Sequence, residues 1–408
     1  MPLLAACTQD LDSSGTCPLL CPDQEVQVQQ VDLEPVVYDT TVAMFPLRGE
    51  EEALLAAWES GGVDSRVFYR FDATPSRYLP IGGDSVPIEV LHDAWLRVRF
   101  DTALVEVPEG AALEVYNVDG SFADADFESL LAQFTADRLL GVHEFELPFI
   151  ADTLRISLDT ARVLTTLRAN DRIRLGIRAT APDGRVLVRL APLEVVLTLN
   201  PTVDAEITAV TTSPDSRTPL DDLELRQSLA SFMLVQEGTL PIPGASLGVG
   251  GMPGRRALMR FEIPPSILDS SSIVRATLRL TQFPSPGAVE GDSALLVPVP
   301  VLASDAVTDV VQAIMLSGHP GGGGLGSRVI DTLTLAANGS GVQEFELIGL
   351  LGGWQANVTG RPQRAIVLQV RGEGLDPATI TFHSREADPG LRPRLRITYI
   401  PRIHLGIP

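Results

Sequence analysis

Short runs of strict alternation between apolar and polar residues dominate this chain. In Trp95-Leu-Arg-Val-Arg-Phe100, Leu96, Val98 and Phe100 fall on one side and the arginines on the other. The same period of two recurs at Ile173, Leu175 and Ile177, at Leu193, Val195, Leu197 and Leu199, and at Leu395, Ile397 and Tyr399. Successive side chains of a strand point to opposite faces, so this period predicts half-buried antiparallel strands. Clusters of Pro, Gly, Asp and Ser interrupt the runs, which favours a β-sandwich or jelly roll over an open α/β sheet. Two stretches carry a helical period instead. Residues 126–140 place Phe127, Leu130, Leu131 and Phe134 on one face with Asp124 or Asp126 as the cap, and residues 304–315 follow a capping Ser304. Both are expected to act as lids over an open end of a sandwich.

Several of these segments come twice, in the same order. Arg66-Val-Phe-Tyr-Arg-Phe71 is answered by Arg256-Ala-Leu-Met-Arg-Phe261, and Trp95-Leu-Arg-Val-Arg by Thr277-Leu-Arg-Leu-Thr281. Val142-His-Glu-Phe-Glu-Leu147 is answered by Val342-Gln-Glu-Phe-Glu-Leu347, and residues 172–178 by residues 365–371. A spacing of roughly 190 residues is far beyond a solenoid repeat and reads as duplication of a whole domain. The expected fold is all-β, with two tandem jelly-roll-like sandwich domains and short inserted helices. Residues 1–34 would hold a lipobox remnant and a flexible stalk, 35–200 a divergent first sandwich, 201–401 the second, and 402–408 a tail.

Composition narrows the function. A formal charge of -21 disfavours nucleic acid, whose phosphates need clustered basic residues. All 31 basic residues are arginine, which excludes a Schiff-base or phosphate-loop lysine within the sequence. No uninterrupted apolar run of about 18 residues exists to span a membrane as a helix. Leu4-Ala5-Ala6-Cys7 is similar to a bacterial lipobox, and Thr8 lacks the acidic inner-membrane retention signal. That similarity implies lipid attachment at Cys7, a membrane partner reached through the anchor, and an extracytoplasmic place at the outer membrane or cell surface. An oxidising compartment would let Cys17 and Cys21 form a disulfide, with free thiols as the alternative.

Candidate chemistry is sparse. Gly321 to Gly326 is followed by a strand pattern without a helix N-terminus to receive phosphate, so it reads as a loop. The five histidines lack metal spacing, and no Ser or Cys sits in a nucleophile elbow. Asn117, Asp119, Asp124 and Asp126 could offer oxygens to calcium, against the plainer reading of a polar turn. No other cofactor is expected.

The segment Phe382-His-Ser-Arg-Glu-Ala-Asp388 followed by Arg392-Pro-Arg-Leu-Arg-Ile-Thr-Tyr399 resembles the end of the DNRLRE domain, a disaggregatase-related, carbohydrate-binding-module-like family. Leu247-Gly-Val-Gly250, Leu258-Met-Arg-Phe261 and Trp354 resemble its core. The resemblance covers residues 203–401, and more weakly 35–200, where Arg185 to Leu190 replace the Ser-Arg-Glu segment. It implies a secreted or surface jelly roll, with polysaccharide binding in some members. Arg385 and Glu386 are then candidates to clamp a sugar, against a structural role in fixing the last hairpin. The expected function is a non-catalytic bacterial surface or periplasmic lipoprotein with a structural or adhesive role. Polysaccharide binding is the alternative, and a polysaccharide-active enzyme a remoter one. Its partner would be a protein or polysaccharide at the cell surface. Aromatic residues are only 5% of the chain, and Trp58, Trp95 and Trp354 are expected in the core, which tilts the expectation away from sugar.

Overall fold

The computed structural model describes residues 28–43, 47–48, 53–58, 63–72, 74–123, 126–148, 151–169, 173–191, 194–203, 209–214, 232–237, 244–252, 254–301, 331–356, 365–371 and 376–402. The chain opens with β1 (Gln29–Leu33) and β2 (Pro35–Ala43). There follow β3 (Leu47–Arg48), β4 (Ala53–Trp58), β5 (Val63–Phe71), β6 (Arg77–Tyr78), β7 (Val86–Pro87), β8 (Asp93–Glu106), β9 (Ala112–Val118), α1 (Phe127–Leu131), β10 (Leu139–Glu144) and β11 (Thr153–Ser157). Next come α2 (Thr160–Ala169), β12 (Ile173–Thr180), β13 (Val186–Leu190), β14 (Val196–Asn200), β15 (Val210–Thr212) and β16 (Phe232–Glu237). The remainder forms β17 (Ser246–Gly250), β18 (Arg255–Phe261), α3 (Pro265–Leu268), β19 (Ser271–Phe283), β20 (Ser293–Val301), β21 (Leu333–Ala336), β22 (Gly341–Glu346), α4 (Ile348–Ala356), β23 (Ala365–Val370), β24 (Thr379–His383) and β25 (Arg394–Pro401). The fold is all-β, built of large antiparallel sheets with short helices between strands. Among the described residues no helix is long and apolar enough to cross a membrane.

Among the described residues, two large cores stand out. One gathers Leu55, Tyr69, Phe71, Leu96, Val98, Leu175 and Ile177 with their neighbours; the other gathers Val249, Met259, Phe261, Leu278, Phe345, Ile366 and Phe382. The alternating residues point into them as the period of two requires. Most strand pairings around the two cores match; the first sandwich adds β4 with β5 and β3 with β16. The neighbour order β10-β9-β12-β5-β16 is repeated as β21-β20-β23-β18-β2. Across the core, β15-β14-β8 with β11, β13 and β4 is repeated as β1-β25-β19 with β22, β24 and β17. Single bonds fix the equivalence: Leu158 donates its N–H to Ala94 (2.8 Å), and Leu347 does the same to Ala276 (2.7 Å).

This register corrects two sequence matches. Glu-Phe-Glu of β22 corresponds to Arg-Ile-Ser of β11, which pairs β8, and not to β10, which pairs β9. Alternating Glu and Phe suits any half-buried strand, so the likeness was of pattern and not of place. Likewise β13, beside β8, corresponds to β24, beside β19, the strand before the Ser-Arg-Glu turn.

The domain limits also differ from the tandem expectation. Residues 29–34, expected in a stalk, hold β1, whose Val31 and Leu33 pack on the second core, and β2 pairs β18 instead of opening the first sandwich. An edge strand with one face in water reads as polar coil because only every other residue is apolar. The first sandwich, in turn, continues past Asn200 through β15 and β16. Each core is thus closed by a two-strand arm, and the arm that precedes the first sandwich in sequence closes the second. The last bond described beyond β25 is from Arg402 N to Ser270 O (2.8 Å).

The two sandwiches meet at a junction. Met252, between β17 and β18, is buried among Leu54, Ala56, Val63 and Leu187 of the first sandwich. Beside it Arg185 hydrogen-bonds Glu106 (2.7 Å) and, across the junction, Asp292 (2.8 Å).

α1 is shorter than the helical pattern over 126–140, and it covers a sheet face, not an open end. Leu130, Phe127, Leu131 and Phe134 pack on Phe68, Val118 and Val235 on the outer side of β5, β9 and β16. Phe134 leaves the helix to lie against β12 at Gly176, where any Cβ would come within 2.5 Å of the ring. The second predicted helix, 304–315, lies outside the described residues, as do Gly321 to Gly326.

Candidate functional site

The Ser-Arg-Glu segment forms a turn directly after β24. The Ser384 hydroxyl donates to Glu386 (2.6 Å), Arg385 Nε donates to the same carboxylate (3.0 Å), and Ser384 N–H reaches back to Ala245 O (3.0 Å). Neighbours on a strand would face apart, but in a turn they meet. The Ser384 hydroxyl, then Arg385, hold the Glu386 carboxyl below its ordinary range. Arg392 and Arg394 donate to Ala387 O (2.9 Å) and Pro389 O (2.8 Å), bracing the loop that leads into β25. These bonds tie the turn to itself, to the segment before β17 at Ala245 and, through Arg392, to Glu34 (3.3 Å), the arrangement of a structural brace.

The calcium candidates are spent on local structure. Asn117 donates to Thr166 Oγ1 (3.0 Å), Asp119 accepts from Ser121 N–H (2.9 Å), and Asp126 caps α1 at Ser129 N–H (3.2 Å). The Ser121 bonds hold the Asp119 carboxyl below its usual range. The loop carbonyl of Phe122, which would suit a cation, accepts instead from buried Arg174 (2.9 Å). Asp124 lies outside the described residues. Among the described residues no three His, Cys, Asp or Glu side chains group as metal ligands do. Cys7, Cys17 and Cys21 also lie outside them.

Two exposed features escaped the sequence reading. The first is the outer face of β11, β8 and β14. Trp95 is half-buried there, with the Arg155 guanidinium stacked 3.4 Å from its ring centroid and held by Asp93 (2.8 Å). Arg97 faces Arg155 directly across the strand pair, and Arg99 pairs with Glu194. The alternation that puts Leu96 and Val98 inward already puts Trp95 outward; Trp58 is half-buried too, and only Trp354 is a core residue, at 4% exposure. The second feature is the β6–β7 hairpin with its flank, where Leu79 (68% exposed), Ile81 (71%), Val86 and Val90 stand in solvent. Ile88 and Leu91 anchor this segment in the first core, and Ile88 N–H bonds Ser76 O (2.9 Å). The segment leads into β8 at Asp93.

No family model and no curated protein matches the chain. Among solved structures, the VP2 subviral particle of infectious bursal disease virus is 12% identical, with 93% of this chain and 79% of that chain covered at a TM-score of 0.12. T=1 particles derived from infectious bursal virus give 12% identity, 91% and 77% coverage, and a TM-score of 0.11. Scores so low assign neither chain's architecture to the other. The class defined by the fold is an all-β protein with two β-sandwich cores.

Proposed function

We infer that this is a non-catalytic surface protein with a structural or adhesive role, anchored through lipid at Cys7 and displaying its two sandwiches outside the membrane. The exposed hairpin carries the reading. Scattered surface apolar residues are ordinary, but four large ones on one projecting segment form a contact surface for another protein. Polysaccharide binding is the second reading, supported by Trp95 and the arginines beside it, because an aromatic ring flanked by guanidinium groups suits sugar hydroxyls and carboxylates.

The test is attachment of cells displaying the full chain to protein-coated and polysaccharide-coated surfaces. Leu79→Ser with Ile81→Ser should abolish attachment to protein and leave folding intact. Loss with Trp95→Ala on polysaccharide, and none with the hairpin variant, would favour the second reading. Unchanged attachment in both variants would defeat both readings.

A further inference from the structure

The arms show how one copy of this chain can join the next. β15 and β16 close the first sandwich and lead directly into β17 of the second. β1 and β2 occupy the equivalent edges of the second sandwich and lead into β3 and β4 of the first. Following the second sandwich with the arm of another copy would therefore repeat the connection already present inside the chain: core, arm, next core. The geometry points to an exchangeable N-terminal arm, with residues 28–43 closing the second sandwich of a second copy and linking copies head to tail.

The physical basis is the acceptor. Without the arm, β25 and β18 are both open edges, and open edges pair with any strand of matching register. Val31 and Leu33 complete the core, and Asp32 pairs with Arg396 (2.8 Å) and Glu34 with Arg392 (3.3 Å). None of these contacts distinguishes an arm of the same copy from that of another. A head-to-tail exchange of this kind is heterologous and extends into open chains of copies unless a ring closes. The inference concerns assembly and holds whether or not the chain is anchored at a surface.

Single cysteines test it, in full chains whose Cys7, Cys17 and Cys21 are replaced by Ser. Gln30 and Thr398 are cross-strand partners. Gln30→Cys in one copy and Thr398→Cys in the other can bridge only between copies. After the two are unfolded and refolded together, oxidation should convert them to a disulfide-linked heterodimer. Gln30→Cys with Val342→Cys, on β22, which pairs β19 and not β1, should give none. The double variant Gln30→Cys/Thr398→Cys shows that the pair bridges when both thiols are in one copy. If the double variant closes and the mixed copies stay monomeric, or if the Val342 control cross-links equally, the proposal is overturned.

Discussion

Arg185 and Asp292, 107 residues apart, are joined by two hydrogen bonds of 2.8 and 3.2 Å across the junction of the sandwiches. Both side chains are largely buried, at 13% and 14% exposure. Burial alone would lower the proton affinity of Arg185, but the bonds to Asp292 and Glu106 outweigh it and raise the net value. Arg185→Ala leaves two carboxylates facing each other without their cation. Removing one partner of a buried pair costs about 3 kcal/mol, so the urea midpoint should fall accordingly. Asp292→Ala should cost less, because Glu106 still holds Arg185. Equal midpoints for Arg185→Ala and wild type would show that the junction adds nothing to stability.

Asp376 sits near the same junction. Burial above all raises its carboxyl above the ordinary range, against the bond it accepts from Ala378 N–H (2.9 Å); the Asp292 charge adds to the rise and Arg189 acts the other way. A raised acid is protonated more readily in the folded than in the unfolded chain. It therefore adds stability below its unfolded value and loses that contribution as pH rises through the folded value. Asp376→Asn should gain stability at neutral pH relative to wild type, and the gain should shrink as the pH is lowered into the carboxylate range. Thermal melts at a series of pH values would check this; a loss of stability at neutral pH would contradict it.

Gly176→Ala should disturb the first sandwich. The new methyl would meet Phe134 at 2.5 Å and Val118 at 3.1 Å, pushing the ring off Phe68 (5.5 Å between centroids) and Tyr116 (4.8 Å). Overpacking of this kind costs about 1–3 kcal/mol. Phe134→Leu in the same chain should recover part of the loss, and denaturant titration of the single and double variants would measure the recovery.

Ser65 is fully buried where β5 turns from β4, accepting from Ala56 N–H (2.6 Å) and donating to Leu54 O (3.0 Å). Ser65→Ala leaves both backbone groups unsatisfied in the core, which should cost about 2 kcal/mol. Ser65→Cys, which retains a weak donor, should cost less. Equal losses in the two variants would assign the effect to packing.

Much of the fold was legible because strand alternation is local. Leu96 and Val98, Leu175 and Ile177, and Leu395 and Ile397 all point inward as their period requires. The likeness of Arg70-Phe71 and Arg260-Phe261 was legible too, and their strands hold equivalent places. The arms were not, since the pairing of Asp32 with Arg396 spans 364 residues and no neighbouring sequence encodes it. The hairpin fared no better: Leu79 and Ile81 lie in a Pro and Gly rich loop without periodicity, where exposure is set by the surrounding fold. Trp95 is different, because its outward parity was present in the alternation and was outweighed by the expectation that tryptophan is buried.

Placing β1 and β2 at the edges of the second sandwich sets an order on synthesis. The arm emerges from the ribosome before either core, yet its partner β25 is among the last strands made. β2 has no partner until β18 is made, and β1 none until β25 is made. The first sandwich, whose arm follows it directly, can close while the arm of the second still waits. A nascent chain is thus half finished and carries a free strand at its leading end, the form in which it is most open to capture by a neighbour.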